Sequence, residues 1–154
     1  MNEPDVKETG VNEPDVNKIA KNAGTVLIIE DEMDMRFYLM AMVKSLGFKP
    51  VLTKNGVQGL ETLNKQLPDM IIMDIMMPEK GGALVFQELK AHVSYRDIPL
   101  LIFSGVNPDA FVHYVKMLNI DPAVETPLPK YYVEKSADPD YLKQMILNCM
   151  NEGL

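Results

Sequence analysis

Short apolar runs alternate with amphipathic helical patterns from Thr25 onward, and this alternation is the strongest constraint on the fold. The expected strands are 25–30, a short one near 51, 70–73, 99–103 and 131–135. The expected helices are 34–46, 57–67, 82–92, 109–118 and one from about 139. Five strand–helix units predict an α/β fold, a doubly wound parallel sheet with helices on both faces.

Polar residues follow four of these strands directly. Glu30 ends the first strand and Asp31 follows it, Asp74 follows the third, Ser104 follows the fourth, and Lys135 closes the fifth. In doubly wound sheets, ligands bind beyond the carboxyl ends of the strands. We therefore expect these five side chains to share one rim of the sheet.

Three carboxylates drawn together repel one another, so such a cluster holds protons or binds a cation. Oxygen-only ligands suit Mg²⁺, which retains several waters and leaves room for a phosphoryl oxygen. His92 and His113 fall in predicted helices away from the rim, and we expect both to be structural or exposed.

The same rim suits phosphoryl transfer, because its transition state spreads negative charge over three oxygens and needs cations nearby. Lys135 supplies one cation, Ser104 can donate its hydroxyl, and Asp74 can act as the nucleophile. Each residue alone has a common structural explanation, as a turn former, a solvated lysine or a helix cap. The combination on four strand ends favours a functional site.

Composition limits the possible partners. The 154 residues carry a formal net charge of -7 with no basic segment, so direct binding to nucleic acid or to an anionic membrane is not expected, and the partners should be proteins. A single cysteine, Cys149, and the lack of an apparent leader favour the cytoplasm. Most of the twelve methionines, including Met33 and Met76, are expected to fill the core.

The first 23 residues differ from the rest of the chain. They are polar, lack apolar periodicity and repeat Asn-Glu-Pro-Asp-Val at 2–6 and 12–16. Two copies of five residues are too few for a stacked repeat fold. We expect 1–23 to be a disordered tail and 24–154 to form the folded domain.

Several motifs resemble the receiver domain of bacterial two-component response regulators. They are Val-Leu-Ile-Ile-Glu-Asp-Glu at 26–32, Pro-Asp-Met-Ile-Ile-Met-Asp-Ile-Met-Met-Pro at 68–78 with Gly82, Arg-Asp-Ile-Pro-Leu-Leu-Ile-Phe-Ser-Gly at 96–105, and Tyr132 with Lys135. The resemblance covers about 25–150. It implies a flavodoxin-like (βα)₅ sheet with strand order 2-1-3-4-5.

The resemblance also implies roles for individual residues. Asp74 is the expected phospho-acceptor, supplied by a histidine kinase or a phosphotransfer protein, with Lys135 assisting. Asp31, Asp74 and the backbone carbonyl of Met76 are the expected Mg²⁺ ligands, and Glu30 is expected to reach the ion through water. Such a protein is a signalling switch and not a conventional enzyme.

Ser104 and Tyr132 are the switch residues that the resemblance implies. Phosphorylation is expected to draw the Ser104 hydroxyl toward the phosphoryl group and the Tyr132 ring inward. The surface formed by the fourth helix, fifth strand and fifth helix then changes for a downstream protein target. No output domain follows the fifth helix, so we expect a stand-alone receiver or a relay of phosphate to another carrier.

The chain departs from the family pattern in three places, and we draw a separate expectation from each. Ser136 stands where the family usually has a proline after the lysine, which bears on the geometry of that loop. The Pro-rich connection at 120–130 is longer than expected and is a candidate determinant of partner choice. Met76 and Val106 flank the acceptor with apolar groups, which cannot orient an attacking water, so slow self-dephosphorylation is predicted.

Two alternatives remain at this point. One is a degenerate receiver that binds partners constitutively without carrying phosphate, although the acceptor, the acidic pair and the lysine are all present. The other is a Mg²⁺-dependent phosphohydrolase of the haloacid dehalogenase type. That family has a second Asp two residues after its nucleophile, where this chain has Met76.

Overall fold

The computed structural model describes residues 23–77, 81–117 and 129–153. The strands are β1 Thr25–Ile29, β2 Lys49–Thr53, β3 Met70–Met73, β4 Leu100–Ser104 and β5 Tyr131–Glu134. The helices are α1 Met33–Ser45, α2 Gly56–Lys65, α3 Gly82–Ala91, α4 Pro108–Met117 and α5 Pro139–Glu152. Strand and helix alternate throughout, and every predicted element is present.

The five strands form one parallel sheet in the order β2-β1-β3-β4-β5. This confirms the doubly wound, flavodoxin-like prediction. The chain passes from β1 out to β2 and then back across to β3, so the strand order reverses between β1 and β3. The crevice at that reversal is where such sheets bind ligands.

Two layers of apolar side chains cover the sheet, one on each face. Val26 and Ile28 belong to the layer that includes residues of α1 and α5, whereas Leu27 and Ile29 belong to the layer that includes residues of α2, α3 and α4. Alternate residues of a strand point to opposite faces. Strands buried on both faces therefore appear in the sequence as unbroken apolar runs.

Local signals set the helix ends. The Asn55 side chain caps α2 by accepting from the Gln58 amide at 2.8 Å. Pro139 lies in the first turn of α5, where its missing amide proton costs nothing. Gly47, at φ +85°, turns the chain after α1 in a conformation that favours glycine.

Exposed side chains correct two expectations about the core. Met33 and Met76 are both largely exposed, because each follows a strand end and lies at the rim instead of between sheet and helix. Their burial was predicted wrongly. Met70 and Met73, which lie within β3, are fully buried as expected.

Some predictions concern segments outside the described residues. The repeat at 2–6 and 12–16 and most of the 120–130 connection are among them.

Ser136 stands where the family usually has a proline. The Lys135–Ser136 peptide bond is trans, and no peptide bond in the described parts of the chain is cis. None of the helices in those parts has the length and apolar content to cross a bilayer.

Candidate functional site

The rim at the carboxyl ends of the strands brings together the residues that the sequence predicted. Backbone hydrogen bonds between neighbouring strand ends hold them in register. The Asp74 amide donates to the Ile29 carbonyl at 3.0 Å, and the Lys135 amide donates to the Ser104 carbonyl at 2.8 Å. Each site residue is therefore positioned by the strand that precedes it.

Glu30, Asp31 and Asp74 form a compact acidic cluster. One carboxylate oxygen from each lies within 4.8 Å of the others. Glu30 and Asp74 are buried and Asp31 is half-buried. Asp31 Oδ1 is itself buried and has no hydrogen-bond partner among the residues that the structure describes. A set of hard oxygen ligands with an unsatisfied oxygen fits a divalent cation such as Mg²⁺.

The pKa of Glu30 is raised to about 7, mainly by burial and also by the negative charge of Asp74. The Glu32 amide, which donates to Glu30 Oε1 at 3.0 Å, and the Lys135 ammonium oppose that shift. Burial is the main cause of this shift, and the Lys135 ammonium offsets only part of it.

The two oxygens of Asp74 have different environments. Oδ1 accepts from the amides of Ile75 and Met76, at 2.7 and 3.2 Å, which fixes the orientation of the carboxylate. Oδ2 faces Lys135, whose Nζ lies 3.1 Å away. One oxygen is thus held by the backbone, and the other is directed toward a cation.

Lys135 is the hub of the site. Its Nζ lies 2.9 Å from Glu32 Oε1, 3.1 Å from Asp74 Oδ2 and 3.1 Å from Glu30 Oε2, although only the first two contacts have hydrogen-bond geometry. Its side chain is 14% exposed. Burial alone would lower the pKa of Lys135, but its bonds to Glu32 and Asp74 and the surrounding negative charges outweigh it and raise the pKa.

Ser104 and Tyr132 are linked through the loop after β4. Ser104 Oγ accepts from the Val106 amide at 3.3 Å, and the Tyr132 hydroxyl donates to the Val106 carbonyl. The Tyr132 ring lies 5.7 Å from that of Phe111 on α4, centroid to centroid. The predicted switch pair thus contacts a single loop residue from two sides.

With this geometry established, comparison with known proteins decides the family. The family profile described as response regulator receiver domain matches residues 26–147. The chain belongs to the receiver domain family. Receiver domains are signalling switches of two-component systems.

Curated relatives agree with this assignment. The polar-differentiation response regulator DivK of Brucella anthropi is 33% identical over 78 residues, which is half of this chain and 63% of that relative. The regulator of RpoS of Escherichia coli is 28% identical over 125 residues, 81% of this chain and 34% of that protein. The match with this chain thus spans less than two thirds of the length of each of these relatives.

Solved structures share the fold at low identity. A signal receiver domain of a histidine kinase from Syntrophus aciditrophicus superposes with TM-score 0.71 at 22% identity, covering 84% of this chain and 91% of that one. The receiver domain of sensor histidine kinase PA1611 from Pseudomonas aeruginosa, solved with a magnesium ion in its active-site cleft, has TM-score 0.71 at 19% identity. The superposition covers 84% of this chain and 99% of the PA1611 receiver domain.

Two site residues of this receiver domain were missed by the sequence analysis. Arg36 Nη1 donates to the carbonyls of Glu30 at 2.8 Å and of Asp31 at 3.1 Å, and so braces the loop that carries the acidic pair. Glu32 was named only within the motif at 26–32 and was given no role of its own. The available signal was spacing, since Arg36 lies one helical turn after Glu32, near enough to reach back to the strand end.

The histidines lie where the sequence predicted. His92, at the end of α3, stacks on Tyr95 with ring centroids 3.9 Å apart, and His113 is exposed on α4. Neither belongs to the rim of this receiver domain.

Gly82 packs against the loop that follows Asp74. Its amide donates to the Ile75 carbonyl at 2.9 Å, and a Cβ there would lie 2.3 Å from the Asp74 carbonyl oxygen. The loop after Asp74 and the start of α3 approach each other too closely for any side chain.

Proposed function

We propose that this receiver domain accepts a phosphoryl group on Asp74 from a histidine kinase or a phosphotransfer protein. The modified domain then signals to a downstream protein through the surface of α4, β5 and α5. The observation that carries the proposal is the pairing of Asp74 Oδ2 with Lys135 Nζ at 3.1 Å, beside the cluster of Glu30 and Asp31.

The chemical step follows from the two environments of Asp74. Oδ2 attacks the phosphorus of a phosphohistidine, a new O–P bond forms, and the P–N bond breaks with its electron pair remaining on the imidazole nitrogen. The backbone amides on Oδ1 keep the carboxylate aligned for that attack. Lys135 neutralises charge on the phosphoryl oxygens as they pass from donor to acceptor.

Glu30, Asp31, Asp74 and the Met76 carbonyl are the residues proposed to hold Mg²⁺. The unsatisfied Asp31 Oδ1 and the close approach of the three carboxylates support this assignment, as does the magnesium ion in the cleft of the PA1611 receiver domain. When bound, the ion adds positive charge that offsets carboxylate repulsion and stabilises the phosphoryl oxygens. Arg36 braces the backbone of the two leading ligands.

Ser104 and Tyr132 are proposed to transmit the change. A phosphoryl oxygen on Asp74 accepts a hydrogen bond from the Ser104 hydroxyl, which alters the contact of Ser104 with the Val106 amide. Tyr132 bonds to the carbonyl of the same Val106 and packs on Phe111 of α4. The change of charge at Asp74 thereby shifts the surface of α4, β5 and α5 between two arrangements.

The working environment that fits this role is the cytoplasm. Cys149 is the one cysteine of the sequence, so it has no partner for an internal disulfide, as is usual in a reducing compartment. The partners are proteins, since the net charge of -7 disfavours nucleic acid and anionic membrane surfaces.

Intact mass spectrometry after incubation with acetyl phosphate tests the proposal. We expect wild type and the exposed control Asp109→Asn to gain one phosphoryl group with Mg²⁺, and Asp74→Asn to gain none. Chelation of the metal should suppress the gain. No gain in wild type, with Mg²⁺ binding verified by calorimetry, would instead identify a degenerate receiver that acts as a constitutive interaction module.

A further inference from the structure

Glu32 occupies an unusual position for a helix-capping residue. It is the N-cap of α1, yet its side chain makes no capping hydrogen bond. Instead Oε1 reaches Lys135 at 2.9 Å, across 103 positions of the sequence. Its side chain is 62% exposed, whereas the other two carboxylates around that ammonium are buried. Glu32 is therefore the outer partner of Lys135.

The carboxylates of Glu30, Glu32 and Asp74 surround the Lys135 ammonium. That ammonium has three hydrogen-bond donors. A phosphoryl group approaching Asp74 needs the same ammonium, so it competes with a carboxylate already present. Glu30 is buried and also accepts from a backbone amide, and Asp74 is the acceptor itself. Glu32, exposed at the rim, is the partner that a phosphoryl group must displace or repel.

We propose that Glu32 is a specificity-determining residue that disfavours small dianionic phosphodonors at this site. The inference rests on the proposed function. Glu32 and Asp74 both lie within hydrogen-bond distance of Nζ, so the Glu32 charge is close to where the donor phosphorus must arrive. A protein donor offsets that repulsion with binding energy from the rest of its interface, which a small donor lacks.

The test compares wild type, Glu32→Gln and Glu61→Gln with two small donors. Acetyl phosphate is a dianion near neutral pH and phosphoramidate carries less negative charge. In each case an O–P bond forms on Asp74, and acetate or ammonia leaves with the electron pair of the broken bond. Glu61 is exposed on α2, so its substitution makes the same charge change away from the rim. The rate of mass gain is the readout.

We expect Glu32→Gln to accelerate phosphorylation by acetyl phosphate about two- to fivefold, the range for one exposed charge interaction. The gain should be smaller with phosphoramidate and should shrink as salt is added. Glu61→Gln should match wild type. A purely structural role for Glu32 would produce neither the donor dependence nor the salt dependence.

Other outcomes overturn the inference in distinguishable ways. Equal rates for wild type and Glu32→Gln, or an equal increase in Glu61→Gln, leave the proposed function intact but remove any special role for Glu32. Slower reaction with both donors would show that Glu32 positions Lys135 and does not filter donors. If no form of the protein takes a phosphoryl group on Asp74 from either donor, the proposed function fails and the inference fails with it.

Discussion

Lys135 Nζ lies 3.1 Å from Asp74 Oδ2 across 61 positions of sequence, joining an edge strand to an interior strand. Removing this ammonium leaves the buried carboxylates of Glu30 and Asp74 without their cation. Unpaired buried charges are costly, and without a bound metal ion they are relieved by taking up protons.

We therefore expect Lys135→Ala to lower the free energy of unfolding by about 1–3 kcal/mol at alkaline pH and by less at acidic pH. Phosphorylation of Asp74 should also slow sharply. Urea denaturation at two pH values measures the first effect, and Lys54→Ala, at an exposed loop position, is the control. A loss of stability that does not depend on pH would contradict this account.

Gly82 is expected to tolerate no side chain. A Cβ at this position lies 2.3 Å from the Asp74 carbonyl oxygen and 2.5 Å from the Ile75 Cα, both backbone atoms that cannot move independently of the acceptor loop. Gly82→Ala should destabilise the fold by about 2–3 kcal/mol and impair phosphorylation. Thermal unfolding checks this. The matched control is Gly105→Ala, where no described atom lies within 4 Å of the added methyl group.

The raised pKa of Glu30 predicts a pH-dependent stability. Its pKa increases from 4.5 to about 7 on folding, so the folded chain holds the Glu30 proton more tightly than the unfolded chain. The resulting stabilisation is complete below about pH 4.5 and is lost as pH rises through about 7. Glu30→Gln, which cannot ionise, should remove this dependence.

In chelator, we expect Glu30→Gln to be more stable than wild type above neutral pH by about 2–3 kcal/mol and similar to it at acidic pH. Denaturant titrations across this range provide the measurement. Glu61→Gln should follow wild type throughout. A constant difference between Glu30→Gln and wild type at all pH values would show that the pKa of Glu30 is not raised.

Met76 offers a test of phosphoryl lifetime. Its side chain is 62% exposed beside the acceptor, and an apolar group there cannot orient a water molecule toward phosphorus. We predict slow loss of phosphate in wild type and loss about tenfold faster in Met76→Asn, less than a dedicated general base would give. Stability should change by about 0.5 kcal/mol or less, as for other exposed positions.

The decay of the phosphorylated mass after removal of the donor measures this lifetime. Met33→Asn changes an equally exposed methionine that does not follow the acceptor, and it should decay like wild type. Fast decay in wild type that Met76→Asn does not alter would argue against the prediction.

The sequence carried most of the fold because buried parallel strands read directly as apolar runs, as Val26 to Ile29 and Met70 to Met73 show. The polar residues after those strands then followed from the rule for doubly wound sheets. The distant contacts of long side chains were harder to predict from the sequence. The spacing of Arg36 from Glu32 is a weak signal, and the structure is needed to show that Arg36 turns back to the loop carbonyls and that Glu32 reaches Lys135.

The exposure of two methionines at the rim was also not predicted from the sequence. Met33 and Met76 are apolar, as core residues usually are, although both lie outside the predicted strands 25–30 and 70–73. Sheet length decides their environment, and it is set by hydrogen bonding between chain segments far apart in sequence.

Lys135 directly follows β5, which pairs with one neighbour alone in the described sheet, whereas Asp74 directly follows β3, which is flanked on both sides. The two halves of the site therefore belong to regions with different resistance to local opening. Fraying of four residues of β5 would withdraw the lysine and break its amide bond to Ser104, while the acceptor stayed in place. A partner that clamps this edge could set the reactivity of Asp74 without touching it.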